Sequence, residues 1–465
     1  MTPVEVVRQA LSGADAWIVG GTVRDQLLGR PLRDVDVAVA ADPASAARSV
    51  AEAIGGPVFR LSEAFGAWRV IDRTAEVVYD FAPLQGATIE EDLAHRDFTV
   101  NAMARPLATE ELVDPHGGRT DLEERVLRVL GPRAYAEDPL RPLRLARFAA
   151  ELSFSPDPKT EQLTREAAPR VPEASPERIY AELRRLLIAD GALEGVTLSD
   201  RLGVLAAVLP EVSALHGVEQ SHFHHLDVYH HTLEVLGRQI ELEARLEEIF
   251  EDNGEAVQTV LDEELADELT RAQALRFGAL LHDIGKPPTR SIRPDGRVTF
   301  IGHDALGEQM VRAVCRRLRT SERFSHFVEG LTRHHLMLGF MVHARPLERE
   351  HVYRYLKATS SVEVEVTLLS CADRLATRGK NAEAAIAAHL ELARELMAAA
   401  LEWRRSGPPR PPLRGNELAA ELGMEPGPEL GELLARLEEA VFTGEATTRK
   451  QAVELARRLR HNPSR

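Results

Sequence analysis

The sequence predicts an α+β protein in which an N-terminal mixed sheet with helices is followed by an all-helical remainder. In residues 1–130, short runs rich in β-branched and aromatic residues alternate with helix-like runs. From Arg133 onward the β-branched runs nearly vanish and apolar residues recur at helical spacing, as in Pro142–Leu152 and Pro176–Ile188. A proline- and glycine-rich stretch at 406–415 then separates a final small helical piece.

The composition restricts the classes of protein that this chain can represent. It has 465 residues, 44% of them hydrophobic and 28% charged, which allows roughly two to four domains. The absence of a long apolar run and of a signal-peptide pattern predicts a cytoplasmic protein without a membrane partner. The two cysteines, Cys315 and Cys371, predict neither a disulfide framework nor a thiolate zinc site. At a net charge of −16, nucleic-acid binding would need a basic surface segregated from an acidic remainder.

The stretch WIVGGTVRDQLLGRPLRDVDVAV near the N-terminus carries the most specific chemical signal. It predicts a short strand, a turn at Gly20 and Gly21, a helix carrying Arg24, and a second strand holding Asp34 and Asp36. Alternate residues of a strand point to the same face, so the two aspartates should lie side by side. Neighbouring carboxylates repel each other unless a cation lies between them, and Mg²⁺ prefers such oxygen ligands.

The diglycine adds a phosphate-binding feature to the paired carboxylates. Glycines let a triphosphate approach the backbone and the helix N-terminus closely. Taken alone, a Gly-Gly pair is usually only a turn, and an Asp-x-Asp pair usually lies on a solvated strand edge. Joined within about twenty residues, the two favour a nucleotide site with Mg²⁺. The pattern resembles the signature of the nucleotidyltransferase superfamily, which includes tRNA nucleotidyltransferases and bacterial poly(A) polymerases.

Two further motifs extend this resemblance. VVYD predicts a strand whose terminal Asp80 either completes a carboxylate trio with the two aspartates or is an ordinary turn residue. EEDLAHRDFTVNAMA resembles the RRDFTINA motif of class II tRNA nucleotidyltransferases, with His95 where that family usually has its first arginine. The resemblance implies that Arg96 and Asp97 contact the ribose or the phosphates of the nucleotide.

A third motif, EDPLRPLRLARFAAEL, follows a charged Gly-Gly segment that resembles the family's hinge. Asp138 and Arg141 are spaced i, i+3 and are predicted to share one helix face, a spacing that an ordinary salt bridge would also explain. In this context the pair resembles the family's EDxxR motif. That resemblance implies pairing with the Watson–Crick edge of incoming CTP or ATP. Arg144 and Arg147 continue the same face and could meet phosphates.

General phosphoryl-transfer chemistry gives the mechanism that the resemblance implies. Asp34 and Asp36, with Asp80, would hold two Mg²⁺ ions. One ion would lower the pKa of the RNA 3′-hydroxyl and the other would stabilise the leaving pyrophosphate. Arg24 and Arg96 would neutralise the charge of the triphosphate.

A histidine-rich helical region extends from about residue 217 to residue 385. A single buried His-Asp pair is more often a structural hydrogen bond. The motifs here, HFHHLDVYHHTLEVL, LLHDIGKPPT, FIGHDALG, TRHHLM and SCADRLAT, occur in the order found in the HD phosphohydrolase superfamily, which they resemble. The resemblance implies a metal site formed by His231, His282, Asp283 and Asp373, with His303, His334 and His335 for a second metal or the substrate phosphate. Imidazole and carboxylate ligands suit several divalent metals, so the identity of this second divalent metal stays open.

Over nearly its whole length the chain resembles a bacterial class II tRNA nucleotidyltransferase with an HD domain, acting on the tRNA 3′ end with CTP and ATP. The resemblance implies a nucleotidyltransferase-type catalytic domain (1–130), a helical neck with the base-recognition motif (131–215), an HD-type phosphohydrolase-like domain (216–400), and a linker with a small helical tail that contacts tRNA (401–465). The tail ends in basic residues, which suit either RNA contact or a solvated helix face: Arg449, Lys450, Arg457, Arg458 and Arg460.

Members of this family add the full CCA, only CC, only the last A, or poly(A). Only fifteen residues, 81–95, separate Asp80 from Arg96. Full CCA-adding members usually carry a longer flexible loop here, associated with the switch from CTP to ATP. The short loop therefore favours CC addition slightly over full CCA addition. Poly(A) polymerases of this superfamily, which commonly end in basic tails and lack an HD region, fit less well.

Two hypotheses from other classes compete with this one. In the first, the N-terminal domain is degenerate and the working enzyme is the HD hydrolase. In the second, the chain is a non-catalytic tRNA-binding protein. The intact Asp34, Asp36, Asp138 and Arg141 argue against the first, and two complete metal constellations argue against the second.

Overall fold

The computed structural model describes residues 1–63, 66–220, 226–378 and 382–461. The chain divides into two compact units, Met1–Val208 and Leu209–Arg465. Within the described ranges, no helix combines the length and apolar character needed to cross a membrane. Residues 222–225, which open the first histidine-rich motif, lie outside the described residues.

A six-stranded mixed sheet forms the centre of the first unit, with strand order β3-β4-β5-β2-β1-β6. Strands β2 and β5 pair in parallel, and every other neighbouring pair is antiparallel. The predicted α+β fold with an N-terminal mixed sheet is therefore confirmed. The strands are β1 (Ala16–Val19), β2 (Asp34–Val39), β3 (Val58–Ser62), β4 (Ala67–Asp72), β5 (Val77–Pro83) and β6 (Ala104–Pro106).

The remainder of the first unit is helical apart from one two-stranded pair, β7 (Val126–Leu127) with β8 (Ser155–Pro156). Helix ends follow local capping rules. Asp42, for example, accepts the N–H groups of Ala44 and Ser45 before a helix that starts at a proline. The helices are α1 (Pro3–Ala10), α2 (Gly21–Leu27), α3 (Pro43–Ile54), α4 (Ile89–Ala94), α5 (Gly118–Glu123), α6 (Pro132–Glu137), α7 (Arg141–Leu152), α8 (Pro158–Ala167), α9 (Pro176–Ile188), α10 (Ala192–Arg201) and α11 (Val204–Val208).

The second unit is almost entirely helical, as predicted for the histidine-rich region and the tail. Two short hairpins interrupt it, β9 (Glu264–Ala266) with β10 (Leu269–Thr270) and β11 (Ser291–Ile292) with β12 (Val298–Thr299). Its helices are α12 (Pro210–Ser213), α13 (Val228–Glu243), α14 (Leu246–Phe250), α15 (Gly254–Leu261), α16 (Arg271–Leu281), α17 (Lys286–Thr289), α18 (His303–Leu318), α19 (Glu322–His334), α20 (Met337–Met341), α21 (Arg349–Ala358), α22 (Glu363–Leu375), α23 (Ala382–Ser406), α24 (Gly415–Leu422), α25 (Pro428–Thr443) and α26 (Arg449–His461).

The predicted linker lies between α23 and α24, and the last three helices after it share a small apolar core. Leu418, Leu437 and Ala452, one from each helix, are fully buried in that core. The tail helices thus share a core, and Phe442 of α25 also contacts Tyr353 of α21 and Trp403 of α23. The sequence-based division of the whole chain into four parts remains a prediction beside the division into two units.

Candidate functional site

A pocket of about 380 Å³ lies in the first unit beside the diglycine turn. Ten residues singled out from the sequence line it: Gly20, Gly21, Arg24, Asp34, Asp36, Arg96, Asp97, Arg141, Arg144 and Arg147. Sequence reasoning did not identify eight further lining residues: Thr22, Asp25, Ala82, Gln85, Asp92, Asn101, Phe148 and Arg185. His95 also lines the pocket, whereas Asp80 and Asp138 are not among its described lining residues.

Asp34 and Asp36 point to one face of β2, as their spacing predicted. The intervening Val35 is fully buried, Asp34 is exposed and Asp36 is partly exposed. The Thr22 hydroxyl accepts the Asp36 N–H at 2.7 Å and donates to the Asp34 carbonyl at 3.3 Å. This side chain therefore joins the start of α2 to β2 and fixes the two carboxylates relative to the diglycine turn.

The ionised form of Asp36 is less favoured than that of an exposed aspartate. Burial raises the pKa of Asp36 to about 6, with further contributions from Asp80 and Asp34, while Arg96 and Arg24 act in the opposite direction. A cation beside the carboxylates would offset the same repulsion. The oxygen ligands of Asp34 and Asp36 thus fit a hard divalent cation such as Mg²⁺.

The diglycine turn is required by the close approach of an arginine. Gly20 has a φ of +65°, and a Cβ there would lie 2.7 Å from an Arg96 guanidinium nitrogen. Any other residue at this position would both strain the backbone and displace Arg96. Gly20 thereby brings the guanidinium close to Asp36, whose carboxylate oxygen is 3.6 Å from the same Cβ position.

Asp80 lies next to Asp36 but is bound by another residue. The two aspartates are register partners across the parallel β2–β5 pair. Arg69 on β4 donates two hydrogen bonds of 2.7 Å to the two carboxylate oxygens of Asp80. The prediction that Asp80 ends its strand is wrong, since β5 continues to Pro83. Its role in a carboxylate trio stays a prediction, against which the Arg69 pairing weighs.

Two arginines line the same pocket as the Asp34 and Asp36 carboxylates, and each is oriented by an acidic neighbour. Buried Arg24 donates to both oxygens of Asp25 at 2.9 Å and to the side-chain oxygen of Asn101 at 2.7 Å. Arg96 donates to one oxygen of Asp92 at 2.9 Å and 3.3 Å. Both guanidinium groups are therefore held in place before any phosphate binds.

Asp97 is buried inside the protein and serves as an acceptor there. One of its oxygens accepts the Phe98 N–H at 2.8 Å and the Asn101 side-chain amide at 2.9 Å, and the other lies 3.1 Å from Arg144. Burial alone would raise its pKa, but Arg144 and the hydrogen bond from Asn101 bring the pKa of Asp97 below its usual value. The Asp97 carboxylate therefore orients Asn101 and Arg144.

Two arginines of α7, Arg144 and Arg147, are fixed by acidic residues of α7 and α9. Arg147, which is 2% exposed, donates to Glu182 at 2.5 Å and to Glu151 at 2.6 Å. Its guanidinium also lies 4.0 Å from the centroid of the buried Phe148 ring. Glu182 lies 3.6 Å from Arg144 as well, so one carboxylate of α9 holds two arginines of the pocket.

The prediction that Asp138 and Arg141 share one helix face is wrong. Asp138 follows α6 in an extended conformation, with φ −141° and ψ 107°, and Arg141 is the first residue of α7. The cause is Pro139, because a residue before proline is disfavoured in the helical region. The Asp138 carboxylate accepts the Leu140 N–H at 3.1 Å and an Arg178 hydrogen bond at 2.6 Å.

Arg141 does line the pocket, where it is anchored by main-chain oxygens. It donates to the carbonyls of His95 at 2.6 Å, Ala134 at 2.9 Å and Arg96 at 3.2 Å. His95, which replaces the first arginine of the family motif, lies with its Nδ1 3.1 Å from the Glu137 carboxylate. The motif around Arg96 is therefore tied directly to the start of α7.

A second site lies in the second unit, where imidazoles surround one buried aspartate. His231 and His282 form one group with Asp283, and His303 and His335 form another, with ligand atoms in each group within 4.8 Å of one another. Asp283 belongs to both groups and is 1% exposed. The arrangement brings together residues that are far apart in the sequence around one shared carboxylate.

The tautomers of three histidines suit metal binding. The Nδ1 atoms of His282, His303 and His335 lie 2.7–2.9 Å from main-chain carbonyl oxygens three residues earlier. A carbonyl only accepts, so each Nδ1 carries a proton, and in the neutral ring the Nε2 atom keeps the lone pair that a metal would use. His282 Nε2 and Asp283 Oδ1 are buried and make no hydrogen bond of regular geometry to any described residue. This donor set fits a divalent metal, and the backbone carbonyls supply the outer support that such sites use.

Asp373 and Lys286 lie at the edge of this cluster and pair with two of its members. His231 Nε2 lies 2.9 Å from Asp373, and the Lys286 ammonium lies 2.6 Å from Asp283. Burial opposes ionisation, yet His282 and Lys286 hold the pKa of Asp283 well below its usual value. Burial and the neighbouring His282 lower the pKa of His335 to about 3, so His335 is neutral at physiological pH. His334 is not a member of either group among the described residues.

Three known protein families match successive parts of the chain. Residues 16–128 match the family described as "Poly A polymerase head domain", and residues 153–215 match "Probable RNA and SrmB- binding site of polymerase A". Residues 228–378 match "HD domain". The first match contains the diglycine and Asp-x-Asp motifs, and the last contains the whole imidazole cluster.

The chain is similar over almost its full length to curated proteins. It is 37% identical over 443 residues to the A-adding tRNA nucleotidyltransferase of Deinococcus radiodurans, covering 94% of each chain. It is 35% identical over 448 residues to the CC-adding tRNA nucleotidyltransferase of Thermus thermophilus, covering 94% of this chain and 92% of that one. Its fold is similar to that of the Thermotoga maritima CCA-adding enzyme complexed with tRNA, with a TM-score of 0.60 at 19% identity, covering 98% of this chain and 94% of that chain.

Proposed function

This chain belongs to the tRNA nucleotidyltransferase family, and from that premise we propose that it adds nucleotides from CTP to the 3′ end of tRNA without a nucleic-acid template. The observation that carries the proposal is the pocket in which Asp34 and Asp36 face a diglycine turn and a set of held arginines. In the reaction, the tRNA 3′-oxygen bonds to the α-phosphorus of the nucleotide. The bond from that phosphorus to the bridging oxygen breaks, pyrophosphate leaves, and the hydroxyl proton passes to solvent.

We assign the polar groups of the pocket as follows. Asp34 and Asp36 would hold Mg²⁺, which when bound supplies Lewis-acid chemistry at the 3′-hydroxyl and the pyrophosphate. Arg24 and Arg96 bind the triphosphate, since both are aimed into the pocket by acidic neighbours. Arg141 offers hydrogen-bond donors to the edge of the base. Asp138 would accept from the base after its hydrogen bond from Arg178 is broken.

The acid limit of this activity should be set by Asp36. Because the pKa of Asp36 is raised to about 6, this group binds a proton as the pH falls through that value and loses the charge that attracts a cation. We expect nucleotide addition to fall below about pH 6. Asp80→Asn should shift this limit to lower pH, because it removes one carboxylate that raises the pKa of Asp36. The check is a pH–rate profile at a Mg²⁺ concentration below saturation, because a bound cation itself favours the ionised carboxylate. An at least ~1,000-fold loss at neutral pH would instead identify Asp80 as a metal ligand.

The connection between β5 and α4 supports CC addition over full CCA addition. It consists of Leu84–Thr88 alone, and two of its N–H groups are bound by side chains of α4. Such a short, hydrogen-bonded connection leaves little chain for the flexible loop that the family associates with the change from CTP to ATP. The alternative of adding only the terminal A has its own support. The A-adding relative is 37% identical and, like the CC-adding relative, covers 94% of this chain.

A primer-extension assay separates these reactions. Purified protein receives tRNA ending at the discriminator base, or tRNA ending in CC, with labelled CTP, ATP or both. We expect two added residues with CTP on the first substrate and none with ATP on either. A single ATP-dependent addition to the CC-ended tRNA, with no CTP addition to the first substrate, would identify an A-adding enzyme. Three additions to the first substrate with both nucleotides would identify a CCA-adding enzyme, and a long ladder with ATP a poly(A) polymerase. No extension in any arm would contradict the proposed function.

A second function, metal-dependent phosphohydrolysis, is favoured by the cluster around Asp283 in the second unit. We propose that His231, His282, Asp283 and Asp373 hold one divalent metal of open identity, and that His303 and His335 extend the site toward a second metal or the substrate phosphate.

The basic tail is a weaker candidate for tRNA contact. Its Arg449 pairs with Glu417 and Glu421, and its Arg458 with Glu445, so much of its charge is already balanced.

A further inference from the structure

Asp92 on α4 occupies a central position between the short connection after β5 and the nucleotide pocket. It is 3% exposed, yet it lines the pocket edge. One carboxylate oxygen accepts the Gln85 N–H at 3.0 Å, and the other accepts the Arg96 guanidinium at 2.9 Å. A buried carboxylate that uses its two oxygens in this way joins two separate segments, the connection on one side and Arg96 on the other.

The connection is held to α4 at more than one point. The Ala87 N–H donates to Glu91 at 2.6 Å, and Thr88 caps the helix by accepting the Glu91 N–H at 3.3 Å. Gly86 has a φ of +133°, and a Cβ there would lie 2.7 Å from the Glu91 side chain, so only glycine fits. The connection and α4 thus form one packed element, and Asp92 is the residue of that element that reaches Arg96.

Arg96 in turn lies against Gly20 of the diglycine turn. Its guanidinium fits against Gly20 and is the leading favourable charge for ionised Asp36. A shift of Arg96 by a fraction of an ångström would therefore change both the triphosphate contact and the charge at the metal ligands. The position of Arg96 depends on the carboxylate that holds its Nε and Nη2 atoms.

We propose that Asp92 is a positioning residue for the incoming nucleotide: it fixes Arg96 over the Gly20 turn and couples that arginine to the position of the Leu84–Thr88 connection. The inference rests on the proposed function, since it concerns the triphosphate of the same pocket. Through the Asp92 carboxylate, the position of the connection would also affect the position of Arg96 and hence the triphosphate contact. A change in the backbone position of the connection would be transmitted to the phosphate site through the Gln85 N–H, Asp92 and Arg96 in turn.

An ordinary structural role for Asp92 is the alternative that a test must separate. An acidic residue in the first turn of a helix is favoured by the helix dipole whatever its partners are. In that case Asp92 would stabilise α4 without acting through Arg96. A double-mutant cycle distinguishes the two roles, because only the proposed role makes the effects of Asp92 and Arg96 non-additive.

The experiment measures the affinity of the full-length protein for CTP with Mg²⁺ by calorimetry, without tRNA. Asp92→Asn keeps an acceptor for Gln85 but loses the charge that holds Arg96, and we expect about ten-fold weaker CTP binding. In an Arg96→Gln background the same substitution should change the affinity by less than about two-fold. Glu90→Gln is the matched control, since it removes one exposed charge from the same helical turn and should leave CTP binding unchanged.

Steady-state tRNA extension gives a second readout. For Asp92→Asn we expect a raised KM for CTP with little change in kcat, as for a lost contact made equally to substrate and transition state. Wild-type-like CTP affinity in Asp92→Asn would overturn the inference, as would an equal loss in the Arg96→Gln background. A wild-type protein that binds CTP but extends no tRNA would instead contradict the proposed function, and the binding cycle would still decide the role of Asp92.

Discussion

We expect Asp36→Ala to abolish nucleotide addition to tRNA, with a loss of at least about 1,000-fold in rate at saturating CTP. Asp36 is the more buried of the two β2 carboxylates, and it lies between Asp34 on its own strand and Asp80 on the neighbouring strand. Alanine at this position removes the carboxylate that we propose as a ligand for the divalent cation. It leaves the arginines of the pocket in place, so that the triphosphate can still bind but the reacting oxygens lose their electrostatic support.

The measurement is extension of discriminator-ended tRNA by labelled CTP under single-turnover conditions. Asp15→Ala serves as a control, because it removes an exposed aspartate just before β1 and should behave as wild type. Thermal unfolding should show that Asp36→Ala remains folded, since it removes a carboxylate whose charged form is disfavoured by burial and by the neighbouring Asp80 and Asp34. A variant that keeps more than about a tenth of the wild-type rate would remove Asp36 from the catalytic residues.

The pocket residues that could be predicted from the sequence are those governed by local rules. Strand alternation alone places Asp34 and Asp36 on one face, and a diglycine before a helix indicates close approach of a phosphate or a side chain. The helical remainder and the linker after Ser406 likewise follow from periodicity and from proline and glycine content. In each case the signal is contained in a few consecutive residues.

Pairings across the sheet and between helices could not be obtained in this way. The binding of Asp80 by Arg69 depends on the register of β4 against β5, which no spacing within VVYD reveals. Glu182 lies thirty-five residues from Arg147 along the chain, so its part in holding the arginines of α7 appears only after α7 and α9 pack together. Asp138 is different, because Pro139 itself indicates a non-helical residue before it, and this local signal outweighs the i, i+3 spacing.

The histidine cluster shows the same division between local and long-range information. The doublet at 334 and 335 predicts ligands at two adjacent positions, but consecutive helical residues point about 100° apart, so one of the two faces elsewhere. Here His335 belongs to the cluster and His334 does not. Which of them faces the site depends on how α19 packs against α16 and α18, and not on the doublet itself.

We expect Asp283→Asn to eliminate divalent-metal binding by the second unit and any phosphohydrolase activity that depends on it. Asp283 is the one residue common to both groups of ligand atoms, with His282 at 3.2 Å and His303 at 3.4 Å from its oxygens. An amide keeps the shape of the side chain but loses the charge that metal coordination requires. Loss of one shared carboxylate should therefore affect both groups together, with metal affinity reduced by at least about 100-fold.

Metal content of the purified full-length protein, measured by elemental analysis after dialysis against Mn²⁺, Ni²⁺ or Mg²⁺, provides a readout independent of activity. His326→Ala is the matched control, since this histidine of α19 is largely exposed and should not alter metal content. Because Asp283→Asn leaves Lys286 buried without its partner charge, His303→Ala is measured beside it, and we expect the same direction of change with an intact ion pair. Both variants should extend tRNA at the wild-type rate, since the nucleotide pocket is formed by residues of the first unit alone. Full metal content in both variants would remove Asp283 and His303 from the metal site, and impaired tRNA extension would show that the two units are functionally coupled.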